Sequence, residues 1–197
     1  DLIAFKNIPM ADEIGLVTRA STLRIPGIQN VYNPSMIKTS SGYSIAFRYD
    51  LPWDRVSFKK ARIGLIHVDG RFISKGDFHF LNTRDDQVED PKLFLHDNTC
   101  YVSYTHLSFW GRDYLCNIGL SSINLNEQSV THSWELLYKN GPKEKNWTPL
   151  SYRNEEGISE LYFVYEYNPL KVIRMKQPFT GAIEHPFPKT QSTLLAE

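Results

Sequence analysis

Val88-Glu89-Asp90-Pro91-Lys92-Leu93-Phe94 places two acids before a proline, a base after it, and then apolar residues. Proline lacks a backbone donor, so the stretch reads as the start or the edge of a β-strand. Taken alone, an Asp-Pro pair is an ordinary turn opening a strand. The neighbouring sequence gives it more weight, because the arrangement recurs. Asn33-Pro34-Ser35-Met36-Ile37 has the same form, and Trp147-Thr148-Pro149-Leu150 opens a third copy.

Each opening is followed by a returning strand. Tyr43–Tyr49 alternates apolar and polar positions, with Tyr43, Ile45, Phe47 and Tyr49 on one face and Arg48 on the other. Thr99–Thr105 and Leu161–Glu166 are its counterparts. Third strands read at Arg62–Ile66, Cys116–Leu120 and Lys171–Met175, and fourth segments at Phe72–Phe80 and Ser133–Leu137. Pro34 to Pro91 is 57 residues and Pro91 to Pro149 is 58; Phe47 to Tyr104 is 57 and Tyr104 to Tyr165 is 61. Ile-Gly-Leu stands at 63–65 and again at 118–120, a shift of 55. A repeat of four short strands with such a period is the signature of propeller blades. The expected fold is all-β, a β-propeller of four-stranded antiparallel blades forming one domain over 1–197, with repeats at about 28–80, 86–138 and 144–197. A β-sandwich is the structural alternative. Residues 1–27 are the least readable, with one strand expected at Ile14–Thr18.

At that period 197 residues hold about three to three and a half blades, whereas propellers usually close with four to eight. The expectation is a partial ring, prone to self-association through open blade edges. Lys plus Arg and Asp plus Glu both number 22, so no global field favours nucleic acid or an anionic membrane. No apolar run approaches the ~18 residues of a membrane span, and Asp1-Leu2-Ile3-Ala4-Phe5-Lys6 lacks the pattern of a signal peptide. A cytoplasmic location is the default expectation. Two cysteines, Cys100 and Cys116, are too few for a disulfide scaffold and read as buried thiols. The six histidines are scattered, so no metal site is expected.

In a propeller the innermost strands line the axis, so sites draw equivalent positions from different blades. The strand starts offer Asn33, then Glu89, Asp90 and Lys92, then Glu144, Lys145, Asn146 and Trp147. The second strands add Arg48, Thr105 and Glu166. A mix of acids, bases, amides and aromatics suits a sugar.

Asn33-Pro34 with Gly42-Tyr43 and Arg48, and Glu89-Asp90-Pro91-Lys92-Leu93-Phe94 with Tyr101 and Tyr104, resemble the inverting β-mannoside phosphorylases and their mannosidase and mannosyltransferase relatives, which are five-bladed propellers. Glu144-Lys145-Asn146-Trp147-Thr148-Pro149, with the later pair Asn168-Pro169, is similar to a stretch of the transferase-like branch. The resemblance spans about residues 30–176. It implies that Asp90 is the general acid. It makes Asn33, Arg48, Lys92, Asn146 and Trp147 sugar-binding, and puts Arg112 and Lys145 at a phosphate. Lys92 stands where the family more often has Arg, which keeps the charge and loses the bidentate fork. The implied chemistry is glycoside phosphorolysis or mannosyl transfer on an oligosaccharide or mannoside. No cofactor is implied; inorganic phosphate or a sugar phosphate or nucleotide serves as co-substrate. Phosphate is already an anionic nucleophile, whereas a hydrolase needs a second carboxylate to activate water, for which Glu144 and Glu166 are available. The other reading is a non-catalytic propeller that binds carbohydrate or protein.

Overall fold

The structure, a computed structural model, describes residues 25, 28–52, 60–83, 87–110, 113–136, 144–167, 170–175 and 192–196. The strand expected at 14–18, the loop bearing Arg112 and the pair Asn168-Pro169 lie outside the described residues. Three antiparallel sheets follow one another. The first holds β1 (Val31–Thr39), β2 (Gly42–Asp50), β3 (Ala61–Val68) and β4 (His79–Phe80). The second holds β5 (Val88–His96), β6 (Thr99–Trp110), β7 (Asp113–Asn124) and β8 (Ser129–Leu136). The third holds β9 (Thr148–Arg153), β10 (Ser159–Tyr167), β11 (Leu170–Met175) and β12 (Ser192–Ala196). Within each sheet the spatial order equals the chain order. The first strands β1, β5 and β9 touch in sequence, β1 against β5 and β5 against β9. These are propeller blades, as the repeat predicts.

Blade 2 is covered on both faces, and its sequence is apolar on both faces for that reason. Leu93, Val102 and Tyr104 join Ile37, Ala46, Ile63 and Leu65 of blade 1. Phe94, Leu120, Trp134 and Leu136 join Leu161, Phe163 and Ile173 of blade 3. Neighbours such as Leu93 and Phe94 therefore point to different cores, as the two-residue strand period requires. Each such fully buried side chain contributes about 1.5–3 kcal/mol of transfer free energy. Two polar contacts reinforce the joints: the Leu93 backbone N–H donates to Ser35 Oγ at 2.8 Å, and His96 Nδ1 lies 2.9 Å from Ser151 Oγ. Burial lowers the pKa of His96, with Asp97 opposing.

The repeated Ile-Gly-Leu now has a cause. Gly64 pairs with Phe47 and Gly119 with Tyr104 across β2–β3 and β6–β7. Each aromatic ring lies over the glycine opposite, where a Cβ would stand 2.2 Å from Phe47 Cζ or 2.1 Å from Tyr104 Cε2. Gly119→Ala should cost about 1–3 kcal/mol, the usual range for overpacking a core, measured by urea unfolding. In a Tyr104→Leu background the same change should cost much less; an equal cost in both would show that the ring is not the reason.

Three expectations need correction. Phe72–Phe80 is not one strand: His79 and Phe80 form a two-residue strand, and Ser74 makes an isolated bridge to Val68. Asp69 caps the preceding turn through Arg71 N and Ile73 N, and Phe72 and Phe78 fold back onto the outer core of blade 1. Pro34 and Pro91 do not begin their strands but sit three residues inside them. Pro149 is not the counterpart of Pro91. Thr148 pairs with Val164 as Lys92 pairs with Ser103, which puts Trp147 at the proline position and Pro149 two residues further on.

Among the described residues no helix is long and apolar enough to cross a membrane, and no group of three or more His, Cys, Asp or Glu could hold a metal ion. Cys100 and Cys116 are free and buried. Burial pushes the Cys100 thiol up to about 12.

Candidate functional site

The pairing of β1 with β2 slips between Tyr32 and Ser35, and that of β5 with β6 slips between Glu89 and Lys92. The residues left over are Asn33-Pro34 and Asp90-Pro91. Such bulges re-aim side chains, and proline is tolerated in them. Asn33, Asp90 and Asn146 all take left-handed backbone, with φ of 49°, 53° and 61°. Asn and Asp are the non-glycine residues that enter this region most readily. The same unusual conformation thus stands at one position of three blades, immediately before Pro34, Pro91 and Trp147.

The three side chains converge. Asn33, Pro34, Ser35, Asp90, Pro91, Lys92 and Asn146 line one open depression. Asn33 Nδ2 donates to Asp90 Oδ1 at 2.6 Å. Behind the rim lies a charge network. Arg48 Nε donates to Asp50 Oδ1 at 2.8 Å, its Nη2 reaches Glu89 Oε1 at 2.7 Å, and its Nη1 reaches Asp90 Oδ1 at 3.4 Å. The guanidinium also lies over the Tyr32 ring, 5.0 Å from its centroid. Lys145 Nζ stands 3.7 Å from Glu89 Oε2. Burial opposes the charge of Arg48, but the Asp50 hydrogen bond and the charges of Glu89 and Asp50 outweigh it and raise its pKa. Burial pulls the Lys92 ammonium down, partly offset by Asp90.

Of the residues expected at the site, Asn33, Asp90, Lys92 and Asn146 are brought together at the depression. Arg48 and Lys145 meet at Glu89 and do not line it. Trp147 is turned away: at 2 % exposure it packs on Phe163 and Tyr165 in the core of blades 2 and 3. Trp147 therefore fills the core rather than lining the depression, unlike the sugar-binding position the resemblance implied. Arg112 lies outside the described residues. Of the two further carboxylates, Glu144 is buried and accepts from Trp147 Nε1 at 3.1 Å and Tyr165 Oη at 3.3 Å. Glu166 pairs with Lys171 at 2.7 Å on blade 3. Sequence reasoning missed Asp50 as a site residue. The signal was present, because residues 48 and 50 share a strand face. It also noted Glu89 without a role.

Chemically, the depression offers a carboxyl, an ammonium and two amides, one of them already bonded. That set can hold hydroxyls, accept an anion at Lys92 and pass a proton at Asp90.

No protein-family model and no curated protein matches the chain. A search of solved structures finds a crystal structure of a xylan β-1,4-xylosidase from Bacillus halodurans C-125, with a TM-score of 0.51 and 19% sequence identity, covering 88% of this chain and 33% of that one. The chain thus spans about a third of that enzyme's length, and the two share the blade architecture described above.

Proposed function

We propose that this chain is part of a carbohydrate-active enzyme whose Asp90 is the general acid at a glycosidic bond, acting on β-mannosides by phosphorolysis or mannosyl transfer. The observation that carries this reading is the convergence of Asn33, Asp90 and Asn146, each in left-handed backbone. It spends conformational strain at one corner, and such strain clusters at functional sites. Asp90 is the sole carboxylate lining that depression among the described residues. The two acids available to a hydrolase are engaged elsewhere, Glu144 with Trp147 and Tyr165, and Glu166 with Lys171. That favours a nucleophile needing no base, as phosphate does, with Lys92 to receive its charge. The xylosidase likeness supports glycoside chemistry in general and no particular sugar.

The test offers mannose 1-phosphate with a panel of sugar acceptors, and β-mannosides with inorganic phosphate, and follows phosphate release or uptake. Asp90→Asn should cut turnover about 10²–10⁴-fold, the usual contribution of a general acid, with sugar binding within a few-fold of wild type. Unchanged turnover in that variant would remove Asp90 from the chemistry. The second reading is a non-catalytic sugar-binding propeller, which the internal pairing of Arg48 and Lys145 favours. It wins if the wild type binds mannosides and turns none over.

A further inference from the structure

The charge network touches all three blades. Asp50 and Arg48 come from β2, Glu89 and Asp90 from β5, and Lys145 from the segment leading into β9. Each guanidinium nitrogen of Arg48 meets a different carboxylate. Its side chain is 8% exposed, that of Glu89 13% and that of Asp90 25%, so exposure rises toward the depression. Both oxygens of Glu89 face cations, Oε1 Arg48 and Oε2 Lys145, which holds its carboxyl in place. The two oxygens of Asp90 differ. Oδ1 faces two donors, Asn33 Nδ2 and Arg48 Nη1, whereas Oδ2 has no hydrogen-bond partner among the described residues.

We propose that Arg48 and Glu89 are positioning residues: they fix the Asp90 carboxyl with Oδ1 turned inward, so that Oδ2 is the oxygen that holds and transfers the proton. An oxygen already facing two N–H donors has little room for a proton of its own, because that proton would point at other hydrogens. The open oxygen has none of this conflict. In the transfer, the bond from the anomeric carbon to the leaving oxygen breaks and its electron pair stays on that oxygen, which takes the Oδ2 proton. The anomeric carbon gains a bond to an anionic oxygen of inorganic phosphate, and Asp90 is left as carboxylate; in the reverse transfer Asp90 takes the acceptor hydroxyl's proton as phosphate leaves. Arg48 then holds the carboxyl on either side of the step without touching sugar. This rests on the glycoside reading of Asp90; the fixing of its carboxyl does not.

The charged groups that act on Asp90 are Arg48, at 3.4 Å, and Lys92 on its own strand; Asp50 and Glu89 reach it through Arg48, and Lys145 through Glu89. Two conservative variants, Arg48→Lys and Glu89→Gln, probe the arrangement. The first readout is the side-chain amide of Asn33 in ¹⁵N NMR, assigned by its loss in Asn33→Ser. Because Asn33 donates to Oδ1, both variants should move that signal, while Lys38→Ala, remote on the same blade, leaves it in place. An Asn33 signal unchanged in both variants overturns the proposal, whatever the protein does to sugars. The second readout is the split between binding and turnover. Misplacing a reacting group by about 1 Å costs on the order of 10² in rate. Arg48→Lys should therefore lower kcat about 100-fold and leave KM and mannoside affinity within about threefold. An affinity loss matching the turnover loss makes Arg48 a sugar ligand and also overturns the proposal. If the wild type turns over no glycoside, the glycoside reading fails, and the Asn33 signal still decides whether the carboxyl is held.

Discussion

Arg48→Met should lower the unfolding free energy by about 3–5 kcal/mol, the range for deleting one member of a buried ion pair. The reason is what remains. Asp50, Glu89 and Asp90 surround the guanidinium, with side chains 13%, 13% and 25% exposed. Without Arg48 they face one another at short range, and Lys145, 3.7 Å from Glu89 and 39% exposed, offsets only part of the repulsion. Methionine fills much of the volume, so the loss is electrostatic rather than a cavity. Two further variants isolate it. Arg48→Met combined with Asp50→Asn, or with Glu89→Gln, should recover a substantial part, since each removes a charge the cation had been compensating. Urea unfolding at neutral pH gives the values, provided the slope is unchanged. A loss below about 1 kcal/mol, with no recovery in the doubles, would place the network with solvent-screened surface pairs.

Arg48 also shows how far the sequence could be read. Its face on β2 followed from alternation alone, and the contacts to Glu89 and Asp90 make it an ion pair between blades. The partner two residues on, Asp50, shares that face and was equally legible. What alternation could not supply is the register shift. A bulge places two residues opposite one, so the prolines read as strand starts although they lie inside strands. The blade period was legible because stacking repeats the same packing problem: an aromatic on the second strand of blades 1 and 2 is met by glycine on the third. In blade 3 the pairing slips between Val164 and Glu166, beside Tyr165, and no glycine faces it. Matching prolines therefore aligned blade 3 two residues out of step. The depression was legible in its members, since equivalent strand positions meet near an axis. The inward turn of Trp147 was not, because a tryptophan beside a polar loop carries no mark of which way it points.

That buried tryptophan should be the most costly single truncation among the described residues of the third blade. Trp147→Ala removes a side chain whose ring lies 5.8 Å from that of Phe163 and 5.6 Å from that of Tyr165. Truncating a core aromatic costs about 3–5 kcal/mol. The indole N–H also donates to Glu144, and a buried carboxylate deprived of a donor adds about 1–3 kcal/mol. The expected total is about 5 kcal/mol, below the full sum of the two effects because Glu144 keeps its bond from Tyr165. Trp147→Phe separates the terms: it retains most of the ring packing, loses the donor, and should cost about 1–3 kcal/mol. The milder variant also reports on the site. Glu144 is fixed by its own backbone N–H to Cys116 O at 2.8 Å and by Trp147, and between them stand Lys145 and Asn146. Loosening that clamp should weaken mannoside binding several-fold in a protein that is still folded, through Asn146 at the rim and Lys145 at Glu89. If Trp147→Ala costs less than about 2 kcal/mol, the ring does not fill the core of blades 2 and 3, and the sugar-binding role that the resemblance implied for it returns.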